Sequence, residues 1–250
     1  MGRIISIANQ KGGVGKTTTA VNVSAILAKR GKKVMLIDAD PQGNASSGLG
    51  LEKETENSLY DVLINDVDLE STLQDTNIKT LKVCPSNMNL AGAEVELVSQ
   101  MSREQRLKEK LDVIKDNFDF IIIDCPPSLG LIIDNALFAS DSVIIPVECG
   151  FYAYDALTQM VNKIDEVQKI KKINIEGILL TKLDNRNTFG YKIVDKVRFM
   201  FPNKTFKTII SASSHIQEAP MYGKTVIQFS YNSRGSKEYR ELAKEILGKE

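Results

Sequence analysis

Tryptophan is absent from this 250-residue chain, histidine occurs once (His215), and neither charge is in excess, with 32 Lys+Arg against 32 Asp+Glu. That balance excludes a protein that meets nucleic acid through its overall field, so any such contact has to come from a local patch. Cysteine is scarce as well. Cys84, Cys125 and Cys149 lie far apart without a CxxC pair, and His215 is the only imidazole partner on offer. The spacing suits neither a zinc site nor a disulfide framework and points to reduced cytosolic thiols. Long apolar runs are missing too: no stretch approaches the ~20 residues of a membrane span. The short apolar run at residues 4–8 passes straight into a glycine loop, which makes it a first strand and not a signal peptide. What remains is 42% apolar and 26% charged, an ordinary composition at a length that fits one α/β domain over residues 1–250. A cytoplasmic, soluble protein is the expectation.

Apolar runs rich in β-formers occur at 4–8, 34–38, 120–124, 142–147 and 175–181, with weaker ones at 80–84 and 206–211. Runs without polar alternation are buried on both faces, as in a parallel sheet. Helical patterns lie between them, at 16–30, 102–115, 154–169, 191–200 and 237–247. Ser102 followed by Gln105 reads as a capping box opening the second helix, and Gly31 stands where a helix C-cap glycine belongs. Alternation of strand and helix predicts a doubly wound, mostly parallel α/β sheet with helices on both faces. In the last helix Tyr239, Leu242, Ala243, Ile246 and Leu247 form one apolar stripe, and the remaining face has mixed sign. Interfacial membrane helices favour a Lys/Arg-rich polar face, so this helix is expected to face the core.

Chemistry enters at Lys11-Gly12-Gly13-Val14-Gly15-Lys16-Thr17-Thr18, placed after a strand and at the start of a helix. Glycines let backbone N–H groups turn inward around phosphates, and the helix N-terminus adds its positive end. Lys16 then neutralises β/γ charge and Thr17 ligates Mg²⁺. The loop departs from G-x-x-x-x-G-K-T, since Gln10 stands at the first glycine and an extra lysine, Lys11, opens the loop. Two acidic strand ends follow. Residues 34–38 end at Asp38, with Asp40 two positions on, and residues 120–124 end at Asp124 in Walker B form. Carboxylates there hold Mg²⁺ or orient an attacking water.

These motifs resemble those of the ParA/Soj branch of the deviant Walker A ATPases. The resemblance extends to Pro85-Ser86-Asn87, Pro146-Val147-Glu148 with Tyr152, Glu218-Ala219-Pro220 with Gly223-Lys224, and Ser233-Arg234-Gly235 onward. It implies an ATPase with ATP and Mg²⁺ as cofactors that forms a homodimer around two ATP molecules. It further implies non-specific double-stranded DNA binding, nucleoid association, and a ParB-like partner that stimulates slow hydrolysis in chromosome or plasmid partitioning. Matched by position, Lys16 and Thr17 serve phosphate and Mg²⁺, Lys11 the partner's nucleotide, and Asp40 the water. Asp38 and Asp124 stand near Mg²⁺, and Gly12, Gly13, Val14, Gly15, Thr18, Pro146 and Glu148 complete the nucleotide site. Because the loop begins by residue 10, no N-terminal helix-turn-helix domain is expected. DNA contact is expected from Arg186, with Lys204, Lys207 and Lys224 among nearby cations that also include Lys182, Lys192, Lys196 and Arg198. Ala212 and His215 stand where the family usually has two further arginines. The competing readings are a MinD-like or other cargo-positioning ATPase, against which the mixed-sign last helix argues, and a metabolic or redox relative such as a nitrogenase-reductase-like protein or an amidoligase.

Overall fold

In the computed structural model, which describes residues 2–52, 55–184 and 186–248, the apolar runs become strands buried on both faces. The strands are β1 (Arg3–Ile7), β2 (Val34–Asp38), β3 (Gln74–Asp75), β4 (Leu81–Cys84), β5 (Phe120–Asp124), β6 (Ser142–Glu148), β7 (Asn174–Leu183) and β8 (Thr205–Ser211). They form one sheet in the order β3-β4-β2-β5-β1-β6-β7-β8. All pairs are parallel except β3 with β4, so the sheet is mostly parallel and doubly wound, as expected.

Alternation along each strand divides the core into two layers. Ile5, Ile7, Val34, Leu36 and Ile122 pack with helices Lys16–Lys29 and Arg234–Leu247. Ile4, Met35, Ile37, Ile121 and Ile123 face the opposite layer, which includes Leu59–Ile64, Leu90–Glu96, Arg106–Ile114, Leu131–Ala139 and Ala153–Gln168. Helices therefore cover both faces of the sheet.

The helix Lys16–Lys29 ends as expected at Gly31, which adopts φ +86. The Gly31 N–H donates to Ala28 O and the Lys32 N–H to Leu27 O, a closure that satisfies carbonyls the helix would leave open. The last helix also faces the core: Tyr239, Leu242, Ala243 and Ile246 are buried. Its acidic residues serve the fold as well. Glu245 accepts the N–H groups of Lys207 and Thr208, and Glu238 accepts that of Ser211. These carboxylates occupy donors of edge strand β8 that would otherwise template pairing with another chain.

The capping box at Ser102 does not form. Ser102 takes φ +51 and its carbonyl accepts the Gln105 N–H in a turn, so the helix starts only at Arg106. Capping boxes do form between Ser58 and Asp61 at the helix Leu59–Ile64 and between Thr225 and Gln228 at the helix Val226–Phe229. Among the described residues, no helix is long and apolar enough to cross a membrane.

Candidate functional site

The loop between β1 and the helix Lys16–Lys29 is shaped by glycine. Gly13 and Gly15 sit at φ +73 and +95, a region where a Cβ is strained. Gly15 is also the helix N-cap, and no side chain caps the first turn. The first-turn N–H groups of Lys16, Thr17 and Thr18 thus open toward the loop, where an anion would sit. Two residues outside the motif brace it. Asn9 donates from Nδ2 to Pro146 O at 2.7 Å and accepts the Lys11 N–H at 3.0 Å. Thr181, at the end of β7, donates its hydroxyl to Val14 O at 2.8 Å.

Lys16 is buried, and its Nζ donates to Lys11 O at 3.2 Å. Burial lowers its pKa, while Asp124, Cys125 and Asp40 oppose that shift. The Lys11 side chain is about a third exposed, with its Nζ 3.0 Å from Glu148 Oε2 and above the Tyr152 ring. Of the two β6 residues expected here, Pro146 contributes a buried backbone carbonyl to Asn9 and Glu148 holds Lys11.

Strand register brings the acidic residues together. Asp38 pairs with Asp124 across β2 and β5, and Ile7 pairs with Asp124 across β1 and β5. In-register neighbours on adjacent strands are about 4.8 Å apart, with side chains on one face. That face is the one packed by the phosphate-loop helix. Asp38 is fully buried and accepts the Ser46 N–H and hydroxyl, both at 2.8 Å, and the Asp40 N–H at 3.3 Å. Desolvation raises its pKa to about 6 against those hydrogen bonds. Asp124 is fully buried and neither carboxyl oxygen completes a hydrogen bond. Burial first, then the Asp38 charge, push its pKa well up, while the nearby Thr17 hydroxyl and Lys16 act in the opposite direction. Asp40 is also buried, and its Oδ1 accepts the Gln42 N–H at 3.0 Å.

An orphaned, buried carboxylate is costly unless something cationic completes it. Asp124, beside a second acid and a threonine hydroxyl, is the hard oxygen set that Mg²⁺ takes together with phosphate. The loop and these acids therefore fit a magnesium–nucleotide pair. Beside the loop lie two cavities of about 270 Å³ each. One is lined by Gly15, Thr18, Thr181, Ile216 and Pro220, the other by Thr17, Thr18, Asn44, Ser47 and Lys224.

The structure does not gather the expected DNA-contact residues. Lys224 borders a cavity beside the phosphate loop. Arg186 follows β7 at the carboxyl end of the sheet, exposed and paired with Asp184, with Nε 3.1 Å from Oδ1 and an amino nitrogen 3.2 Å from Oδ2. Lys204 precedes β8 at the opposite end, about 20 Å away along the strand. Lys207 is exposed near the same end, its N–H taken by Glu245. Ala212 and His215 are exposed. The three thiols are free, and burial pushes Cys84 and Cys125 up to about 12 and Cys149 up to about 11. Among the described residues no group of His, Cys, Asp and Glu is arranged to hold a metal by itself.

Sequence reasoning overlooked Asn9, Ser46 and Thr181. Asn9 adjoins the motif and was open to notice; Ser46 and Thr181 reach the site only through the fold.

Known proteins resemble this chain in sequence and fold. A family model described as an AAA domain matches residues 2–177. The chain is 51% identical over 249 residues to the sporulation initiation inhibitor protein Soj of Bacillus subtilis, covering 98% of each chain. It is 44% identical over 250 residues to the chromosome partitioning protein ParA of Myxococcus xanthus, covering 99% of this chain and 88% of that one. A solved structure described as cobyrinic acid a,c-diamide synthase of Mycobacterium smegmatis, with bound ATP analog and magnesium, aligns with a TM-score of 0.87. Its identity is 33%, over 99% of this chain and 95% of that one. Similarity to Soj and ParA at this level along nearly the whole chain, with the lysine-led phosphate loop in place, means that the chain belongs to the ParA/Soj family of deviant Walker A P-loop ATPases.

Proposed function

We propose that residues 1–250 act as one ATPase domain that binds Mg-ATP, pairs with a second copy around two nucleotides, and binds duplex DNA without sequence preference. In this reading it drives chromosome or plasmid partitioning in the cytoplasm, on the nucleoid, and a ParB-like partner stimulates its slow hydrolysis. The observation that carries the nucleotide assignment is the partnerless Asp124 carboxylate, in register with Asp38 beside the phosphate loop.

Gly12, Gly13, Val14, Gly15 and Thr18 wrap the phosphates with backbone N–H groups, and Lys16 neutralises them. Thr17, Asp38 and Asp124 hold Mg²⁺, which supplies charge neutralisation of the β- and γ-oxygens. Asp40, buried two residues beyond Asp38, orients the attacking water. Lys11, whose Nζ is paired with Glu148 and not with its own loop, reaches the partner's nucleotide. Arg186 is the first DNA contact, with Lys204, Lys207 and Lys224 as further phosphate partners on the dimer.

Lys16→Ala is expected to abolish binding in a fluorescent-ATP titration, and wild-type affinity in that variant would sink the phosphate-loop assignment. Asp40→Ala is expected to bind ATP and stop turnover. Lys11→Ala is expected to bind ATP and remain a monomer in light scattering. DNA binding is read by anisotropy of mixed-sequence duplex with ATP-loaded Asp40→Ala protein. It is expected to fall steeply with salt and to weaken in Arg186→Glu on all sequences alike. The missing cations at Ala212 and His215 favour, as a second reading, positioning of a cargo other than DNA. No DNA binding at low salt would select that reading.

A further inference from the structure

Lys182, within β7, adopts φ +55, a conformation that a residue with a Cβ takes only under constraint. It stands where the pairing of β7 with β8 breaks register, between Leu180 and Leu183. Its Nζ ends 3.9 Å from where a Cβ on Gly13 would lie, directly against the phosphate loop. The same Nζ is 4.0 Å from Glu148 Oε1, while Glu148 Oε2 is 3.0 Å from Lys11 Nζ. One carboxylate therefore holds two lysines at the mouth of the loop, one on each oxygen.

That carboxylate is badly placed for a triphosphate. Like charges at close range repel, and a carboxylate at neutral pH offers phosphate oxygens no donor. Glu148 has about a third of its side chain exposed and Lys182 about half, so their ion pairs are cheap to break. Phosphate rewards the same lysines more strongly, through charge-assisted hydrogen bonds. Resting on the reading that the loop binds Mg-ATP, we propose that Glu148 is the resting counter-anion of the phosphate loop, displaced from its lysines by the incoming phosphates. Lys182 is then a phosphate-binding cation supplied in cis from β7. Lys11 serves the partner's nucleotide, and Lys182 keeps a cation on that side of the chain's own phosphates.

The test is isothermal titration of the full chain with Mg-ADP, which reads the monomer, and with Mg-ATPγS. Lys182→Gln is expected to weaken binding about ten-fold, the loss of one charge-assisted hydrogen bond, and Lys182→Arg to recover most of it. Glu148→Gln is expected to tighten binding several-fold, a gain that damaged folding cannot mimic. Lys172→Gln, an exposed lysine at the other end of β7, is expected to leave affinity unchanged. Wild-type affinity in Lys182→Gln, or equal or weaker binding in Glu148→Gln, would overturn the proposal. Lys16→Ala in the same series keeps the two readings apart. If it alone loses binding, only the role of Lys182 and Glu148 falls; if it too binds normally, the phosphate-loop reading falls with them.

Discussion

Two clusters of buried charge sit at opposite ends of the same sheet, and they are built by opposite rules. At the amino end, Glu176 of β7 is buried and its Oε2 takes both the Arg3 guanidinium and the Ser142 hydroxyl, while Arg3 also donates to Ile246 O. At the carboxyl end, Asp38 and Asp124 are buried side by side and Asp124 is left without a hydrogen bond. The first cluster finds its counter-charge within the chain and ties β1, β6, β7 and the last helix together. In the second, burial raises the pKa of both acids, and at Asp124 the Thr17 hydroxyl and Lys16 only oppose that shift. Strain retained at a site, and compensated elsewhere, is what a ligand position requires.

Removing charge should therefore act with opposite sign at the two ends. The largest effect is expected from Glu176→Ala. Breaking a buried pair and leaving Arg3 uncompensated costs about 3 kcal/mol, or about 10 °C in the thermal midpoint at this chain length. Nucleotide affinity should not change, and a variant as stable as wild type would remove the amino-end half of the comparison.

Asp38 gives the next effect through pH. The folded chain keeps a proton on it up to about pH 6, whereas an unfolded chain releases it near pH ~4. In that window the folded state binds more protons, so this group's contribution is complete below pH ~4 and is lost as pH rises through about 6. The loss is about 2–3 kcal/mol. Chemical denaturation of wild type and Asp38→Asn from pH 4 to 7 isolates it as a difference that levels off above 6. Parallel profiles for the two proteins would mean that Asp38 is not held protonated.

Asp124→Asn should stabilise the nucleotide-free chain by about 1–2 kcal/mol, because it removes a buried charge and its repulsion with Asp38. A lower midpoint in calorimetry would mean the pair is already compensated. The smallest effect is expected where the last helix meets the phosphate-loop helix, with Tyr239 Oη and Thr19 Oγ1 3.3 Å apart. Tyr239→Phe should cost about 1 kcal/mol, read from the shift in urea midpoint at constant m.

The same contrast explains how far the sequence could be read. The five stronger strands and the phosphate loop were legible because near-continuous apolar runs and the Gly-Gly-x-Gly-Lys-Thr spacing have few other physical solutions. Asp38 and Asp124 were recognisable as strand ends, but their pairing depends on β2 lying next to β5, which no local pattern states. The helix Leu131–Ala139 was missed because it is buried on almost every side and lacks amphipathic period. Ser102 misled because Ser-x-x-Gln fits a turn as readily as a cap, whereas the Ser58–Asp61 signal was present and overlooked. The mixed sign of the last helix's outer face does not announce that Glu238 and Glu245 close the edge of β8. Lys182 counts in one dimension only as one of the lysines near Arg186, since its place beside Gly13 comes from the backbone it adopts.

The central claim is that the partnerless acids at the carboxyl end are completed by Mg²⁺ with nucleotide. It is tested most directly by the thermal midpoint of wild type and Asp124→Asn with ADP, in the presence and absence of Mg²⁺. A ligand at 100 times its Kd stabilises by about 2.7 kcal/mol, or about 5–10 °C for a chain this long. The account predicts that Mg²⁺ adds a step of that order to wild type with ADP and none to Asp124→Asn. An equal magnesium step in both proteins would contradict it.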